Sequence, residues 1–401
     1  MKRFDKVTPE GTRDLLFEDC AVRQRLTNRL TELYHRRGYR QIITPGVEFY
    51  DVFTLPSSGF PQDSMYKLSD NRGRLMVLRP DCTIPIARLA ATRLAGMAKP
   101  LRIYYAQNVY RMEQSLRGRL SEIWQAGVEL IGDCSLRSDL EMVELAASSL
   151  AGLGPGSRIE LCHIGYFRAV IGSLEADTDT KEEIRQCVEQ KNYAALGNIL
   201  DRFPGDPAAA ALRKLPRLFG GEEVFEEAAA LFGENGAAES LGYLRDIYEA
   251  LCRLGLSDQI LIDLGLVNQA EYYTGIVFRG YLDGVGEPVL SGGRYDNLLR
   301  DFGEPCPAIG FAVELDPVAA VTEHLPSPPA DALVFADEKH LPQAIQCIKE
   351  LTAQGKVVEN CLLDDVSQAI AYGRQQGIPL LYVAGEDQKP LDLTVEGGGD
   401  R

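Results

Sequence analysis

An α+β fold with a smaller α/β unit at its C-terminal end is what the sequence predicts, on three observations. Residues 101–132 read as two long alternating strands joined by a charged turn, an antiparallel hairpin. Between residues 178 and 254 the texture changes to short amphipathic helices, an insertion between strand segments. Beyond a Pro-rich stretch at 324–330, strands and helices alternate as they do in small parallel sheets. The expected organisation is a large domain over 1–325, its helical insertion at about 175–257, and a small domain over 331–401.

Bulk composition narrows the class. With 45% hydrophobic and 25% charged residues among 401, the chain has the make-up of an ordinary soluble globular protein. No apolar run approaches the ~20 residues of a membrane span. Met1 to Asp5 lack an apolar signal core, so a cytoplasmic location and no membrane partner are expected. Nine cysteines without a C-x-x-C pair fit reduced thiols. The four histidines lie far apart, and Cys162 and His163 point to opposite faces of a strand, so no metal and no other cofactor is expected. A formal net charge of −16 weighs against nucleic acid, whose binding rests on phosphate neutralisation.

The elements follow in order. Thr8 to Leu16 is an extended segment punctuated by Pro9 and Gly11. A helix from about Glu18 to Arg37 carries the stripe Val22, Leu26, Leu30, Leu33 and Tyr34 and stops at Gly38. Tyr39–Thr44 is a strand ending at Pro45, Leu75–Arg79 a second, and Thr83–Leu94 a helix. After the hairpin, Ser138 and Glu141 form a capping box for a helix running to about Leu150, and Arg158–Ile164 is a strand. Helical stripes fill the insertion, and strands resume at Ile260–Leu264, Gly275–Tyr281 and Pro288–Leu290. Ser291 to Asp296 reads as a glycine turn opening a helix, and Ala308–Val313 as a strand. The last part alternates strand 332–336, helix 341–354, strand 357–359, helix 366–376 and strand 380–383, before a glycine-rich tail at 397–399 expected to be disordered.

The hairpin concentrates chemistry. Ile103, Tyr105, Gln107, Val109, Arg111 and Glu113 share one face of the first strand, and Gln125, Gly127 and Glu129 share one face of the second. One face therefore collects Arg111, Glu113, Gln125 and Glu129 beneath a turn bearing Arg117 and Arg119. Buried charges need partners, so such a face is a ligand site or a satisfied polar network; the residues alone leave both open.

The pattern Tyr110-Arg111-x-Glu113, Arg117-Gly118-Arg119, Gln125-x-Gly127-x-Glu129-x-x-Gly132 resembles motif 2 of histidyl-tRNA synthetases. Gly11-Thr12-x-Asp14 resembles their N-terminal signature, and Arg79-Pro80-Asp81-Cys82-Thr83 the segment lining the amino-acid pocket. Tyr272-Tyr273-Thr274-Gly275 followed by Gly292-Gly293-Arg294-Tyr295-Asp296 occurs in that family in the same order. The resemblance implies a class II synthetase-like antiparallel sheet with flanking helices. It also implies self-association as a dimer through the Val22–Pro45 segment, and a histidine site. In that site Glu129 and Tyr273, with Tyr272 beside them, would hold the imidazole, Asp81, Thr83 and Gln125 the α-ammonium, and Arg111 the α-carboxylate. The last domain resembles a truncated anticodon-binding domain. It carries twelve acidic and six basic residues over 331–401, so no tRNA is expected on it.

Adenylation accumulates negative charge at phosphorus and needs cations there. Where the synthetases carry arginine this chain has Asn268, Ser121 and Pro317, and Glu314 stands at a position usually glycine. Each lost donor costs ~2.7–4 kcal/mol of barrier, so no catalytic residue is expected. An amino-acid pocket without that machinery is similar to the family of ATP phosphoribosyltransferase regulatory subunits. That similarity implies assembly with a short catalytic subunit, which needs the chain for activity and for histidine feedback on the first step of histidine biosynthesis. An active synthetase, or a histidine- or tRNA-sensing module for another enzyme, are the alternatives.

Overall fold

The computed structural model describes residues 5–57, 60–112, 120–267, 272–324, 326, 328–385 and 390–394. Glu113, Arg117 and Arg119 of the hairpin turn, Asn268, and the tail at 397–399 lie outside the described residues. The chain forms two compact units, Met1–His324 and Leu325–Arg401.

The first unit opens with α1 (Phe17–Arg36), acidic in its first turn and basic in its last, as the helix dipole favours. Gly38, at φ +83°, turns the chain out of it. Short strands β1 (Arg40–Gln41), β2 (Val47–Phe49), β3 (Lys67–Ser69) and β4 (Leu75–Leu78) lead to α2 (Thr83–Thr92). The hairpin follows as β5 (Leu101–Tyr110) and β6 (Glu122–Ile131), then α3 (Leu136–Leu153), β7 (Arg158–His163) and α4 (Ile164–Ser173). The helical stretch comprises α5 (Thr178–Glu189), α6 (Tyr193–Leu200), α7 (Pro207–Lys214), α8 (Glu223–Leu231) and α9 (Ala237–Arg253), with β8 (Phe219–Gly220) among them. Asp177, Asn192 and Asp206 cap α5, α6 and α7 through their side chains, which explains three starts in thirty residues. The unit closes with β9 (Ile260–Asp263), β10 (Ile276–Tyr281), β11 (Leu290–Arg294), α10 (Leu298–Asp301), β12 (Ala308–Glu314) and α11 (Leu315–Val321).

Nine strands join in the order β1-β5-β6-β12-β11-β10-β7-β9-β8. The sheet is antiparallel except where β1 meets β5 and β7 meets β9. Its two faces follow from strand alternation. Tyr104, Ala126 and Val128 point into a core shared with α1 and α3, where Tyr34 packs 6.0 Å from Tyr104 and 6.1 Å from Phe311. Ile103, Tyr105 and Val109 point the other way, against α2 and the small sheet β2-β4-β3.

Two sequence expectations change, and a third segment is partly spent in the core. The glycine pair at 292–293 is no turn but the middle of β11. A Cβ there would fall 2.4 Å from the Phe311 Cβ or 2.7 Å from the Tyr273 ring, so the glycines permit close strand packing. Ser138 does not cap α3: the helix starts at Leu136 after Ser135, and the Ser138 hydroxyl donates to Ser135 O at 2.7 Å from inside the first turn. The apolar stripe of α1, in the segment that resemblance assigns to a dimer interface, is consumed in the chain's own core. Of its large apolar side chains the segment leaves Ile43 exposed (77%), and just beyond Pro45 Val47 and Phe49 are exposed as well.

The second unit is a four-stranded sheet, β14-β13-β15-β16, built from β13 (Ala332–Phe335), α12 (Leu341–Ala353), β14 (Val358–Asn360), α13 (Val366–Gln376), β15 (Leu380–Val383) and β16 (Leu391–Asp392). The first three strands are parallel; β16 returns antiparallel and was not foreseen. Alternation again splits the core, Leu333 and Phe335 packing with Ala369 and Ala332 and Val334 with Ala344 and Leu351.

Candidate functional site

A cleft of about 320 Å³ opens on the face of the main sheet that carries the polar side of the hairpin. Its floor is made where β6, β12 and β11 run side by side. In β6 the residues on that face of the sheet are Gln125, Gly127 and Glu129; in β12 they are Gly310, Ala312 and Glu314, by the pairing Gly310↔Glu129, Ala312↔Gly127 and Glu314↔Gln125. The glycines hold the floor low. A side chain at Gly310 would start 1.7 Å from a Glu129 oxygen, and one at Gly127 would start 2.5 Å from Phe311 O.

Asp81, Thr83, Arg111, Gln125, Tyr272 and Tyr273 all line the cleft, brought together from four segments of the chain. Glu129 does not. Its carboxylate is buried under the wall, taking a hydrogen bond from the Thr83 hydroxyl at 2.7 Å on one oxygen and one from the Tyr295 hydroxyl on the other. Burial pushes this carboxyl up to about 8, although both hydroxyls favour the anion. Desolvation likewise raises Asp81, opposed by the Ile84 amide, which donates to it at 2.9 Å, and by the Arg111 charge.

One end of the cleft is aromatic. Tyr272 stacks on Tyr295 with centroids 5.4 Å apart and meets Tyr273 edge-on at 4.9 Å, and Phe60 closes the wall. Burial raises the hydroxyls of Tyr272, Tyr273 and Tyr295, which remain neutral and able to donate.

The opposite end is polar. Arg111 donates through Nε to Pro80 O at 2.9 Å and through Nη1 to Glu314 Oε1 at 3.1 Å. Gln125 Nε2 donates to that same Glu314 oxygen at 3.1 Å. Arg111 is the one arginine among the described residues lining the cleft, and a carboxylate already holds it. Pro317 lies in the first turn of α11, where it offers no charge. Arg79, in the segment expected at the pocket, faces elsewhere: it is buried and pins the chain by donating to Asn108 O and Thr44 O, each at 2.7 Å. Arg294 is likewise structural, paired in the interior with Asp139 and donating to Ser138 Oγ at 2.9 Å.

Sequence reasoning missed Tyr295, Phe60 and the partnership of Glu314. Tyr295 could have been found once Gly292 and Gly293 were placed on a strand, since it then follows directly at the strand's end. Glu314 was legible as an added anion, but its contact with Gln125 spans 189 residues and appears only with the β6–β12 register. Among the described residues no cluster of histidine, cysteine, aspartate or glutamate has the make-up of a metal site, and no helix is long and apolar enough to cross a membrane. All nine thiols are free.

Comparison with known proteins places this geometry. Residues 11–318 match the family described as histidyl-tRNA synthetase. The ATP phosphoribosyltransferase regulatory subunit of Clostridium acetobutylicum is 38% identical, over 96% of both chains. The protein of that name from Bacillus cereus is 36% identical over 94% of this chain and 91% of its own. Among solved structures, one described as an ATP phosphoribosyltransferase regulatory subunit/histidyl-tRNA synthetase from Bacillus halodurans C superimposes with a TM-score of 0.83 at 32% identity. It covers 92% of this chain and 97% of that one. The histidyl-tRNA synthetase of Nostoc, at 20% identity and a TM-score of 0.73, shares the fold.

Proposed function

Since the chain belongs to the family of ATP phosphoribosyltransferase regulatory subunits, built on the class II synthetase fold, we propose that it serves a short catalytic subunit of that enzyme as a non-catalytic partner. The catalytic subunit needs this chain for activity, and through it histidine feeds back on the first step of histidine biosynthesis. Histidine binds in the cleft: its ring lies among Tyr272, Tyr273 and Tyr295, oriented by the network of Thr83 and Glu129, and its charged end reaches Asp81, Gln125 and Arg111. Chains associate as dimers through the exposed Ile43, Val47 and Phe49 rather than through the α1 stripe, and no tRNA is bound.

One observation carries this reading. The cleft keeps room and partners for an amino acid, while Arg111, its one described arginine, is held by Glu314. Adenylation needs cations left open to phosphate; an effector site does not. Histidine acts there as a signal only by favouring one arrangement of the assembly over another, since equal affinity for both shifts nothing. The test is phosphoribosyl-ATP synthesis by the short catalytic subunit, measured with and without this chain and across histidine concentrations. Synthesis should depend on the chain and fall with histidine. Full synthesis by the catalytic subunit alone, unaltered by the chain, would refute the proposal.

A further inference from the structure

We propose that Glu314 determines the specificity of the cleft: with Arg111 it forms a charge pair that reads the zwitterion of a free α-amino acid and turns away ligands lacking the ammonium group. The inference rests on the reading of the cleft as the histidine site and adds a residue to it.

The pair is only half used. Glu314 accepts from Arg111 and from Gln125 through the single oxygen Oε1, at 3.1 Å in both cases. Its Oε2 has no partner among the described residues. Arg111 commits Nε to Pro80 O and Nη1 to Glu314, and its Nη2 has no partner among the described residues. The two side chains are 28% and 32% exposed, so neither is sealed from a ligand. Glu314 follows Gly310 and Ala312, which both line the cleft, on the same face of β12, and Gln125 opposite it is a lining residue. One unused donor with positive charge and one unused acceptor with negative charge thus stand side by side at the polar end.

A free α-amino acid carries the complement on a single carbon. Its carboxylate can take Arg111 Nη2 while its ammonium gives a proton to Glu314 Oε2, two charge-assisted bonds made without breaking the pair. A ligand with the carboxylate alone meets Arg111 but leaves Glu314 Oε2 unfilled and sets its own charge against the carboxylates of Glu314 and Asp81. That repulsion is the selective element. The same anions disfavour a polyphosphate at this end.

The test is calorimetric titration of the full chain with L-histidine and with imidazolelactate, in which a hydroxyl replaces the ammonium. The wild-type chain should prefer histidine by about tenfold or more. Glu314→Gln keeps the shape and an oxygen for Arg111 and Gln125, and should reduce that preference by about tenfold, weakening histidine and strengthening imidazolelactate. A merely structural role would weaken both ligands together, and an unchanged preference in a variant that melts like wild type would overturn the inference while leaving the histidine site standing. Should Glu314→Gln fail to fold, Arg111→Gln serves. It should weaken imidazolelactate by about tenfold and leave histamine, which has no carboxylate, nearly unaffected; equal losses would refute the pair. No heat from histidine with the wild-type chain would remove the histidine site and the inference together.

Discussion

Glu129 and Gly310 face each other across the β6–β12 ladder, and the carboxylate of one fills the space that a side chain on the other would need. Gly310→Ala puts a Cβ 1.7 Å from that oxygen and 2.5 Å from Val128 O, which belongs to rigid backbone. The variant should lose about 1–3 kcal/mol of stability and, with Glu129 displaced from Thr83 and Tyr295, its histidine binding. Urea unfolding and calorimetry check the two halves. An alanine tolerated without loss of either would show that the floor is not rigid.

The raised carboxyl of Glu129 makes stability fall with pH in the ligand-free chain. Its folded value of about 8 lies above the ordinary 4.5, so between these limits the native state holds a proton that the unfolded chain has released. Its contribution is fully present below about 4.5, declines as pH rises, and is lost above about 8. Glu129→Gln should flatten this slope and be the more stable form at high pH. The same variant should weaken histidine binding and raise the histidine concentration needed for inhibition, while activation of the catalytic subunit persists. Melting curves at a series of pH values, and inhibition curves on the complex, read these effects.

Histidine-dependent exchange between ATP and pyrophosphate should be absent. Arg111 is held by Glu314, and Pro317 supplies no charge at the start of α11. Exchange by the pure chain that disappears in Arg111→Ala would refute the regulatory reading.

Asp139→Asn should destabilise the chain. Arg294 is 6% exposed and Asp139 1%, and the aspartate also accepts from Tyr243 at 2.7 Å, so the pair ties α3 and β11 to α9. Asparagine leaves Arg294 with Asp296, at 3.1 Å, as its remaining anionic partner among the described residues and weakens its charge-assisted bonds to α3, at a cost of about 1–3 kcal/mol. Equilibrium urea unfolding measures it.

Dimer formation should be sensitive at Ile43 and Phe49 and insensitive along α1. Ile43→Glu adds a charge to an exposed apolar position and should give a monomeric mass by light scattering at micromolar concentration. A dimer surviving both Ile43→Glu and Phe49→Glu would move the interface elsewhere.

What the sequence made legible follows physical range. Helix α1, the hairpin and the polar face of β6 rest on neighbours within a few residues, and periodicity exposes them. The second unit was readable for the same reason, apart from the two-residue β16, too short to show a pattern. Glycines 292 and 293 misled because local preference for turns says nothing about Phe311 and Tyr273 pressing on a strand from elsewhere. Ser138 fits a capping box in sequence, yet Arg294 from far along the chain claims its hydroxyl. Motif resemblance found six residues of the cleft wall. Only three-dimensional packing shows that Glu129 lies under that wall and that Glu314 sits against Arg111.

The order of the main sheet also sets a timetable. Strand β6 emerges early from the ribosome, but its partner β12 is about 180 residues further on. At roughly 5–20 residues per second, the inner edge of the hairpin waits on the order of ten to forty seconds before its ladder can close. During that interval a ten-residue strand, paired with β5 on one side, keeps its other edge open, a template for joining another nascent chain. Both halves of the cleft floor exist only once synthesis has passed β12, so the cleft is among the last features of this unit to form.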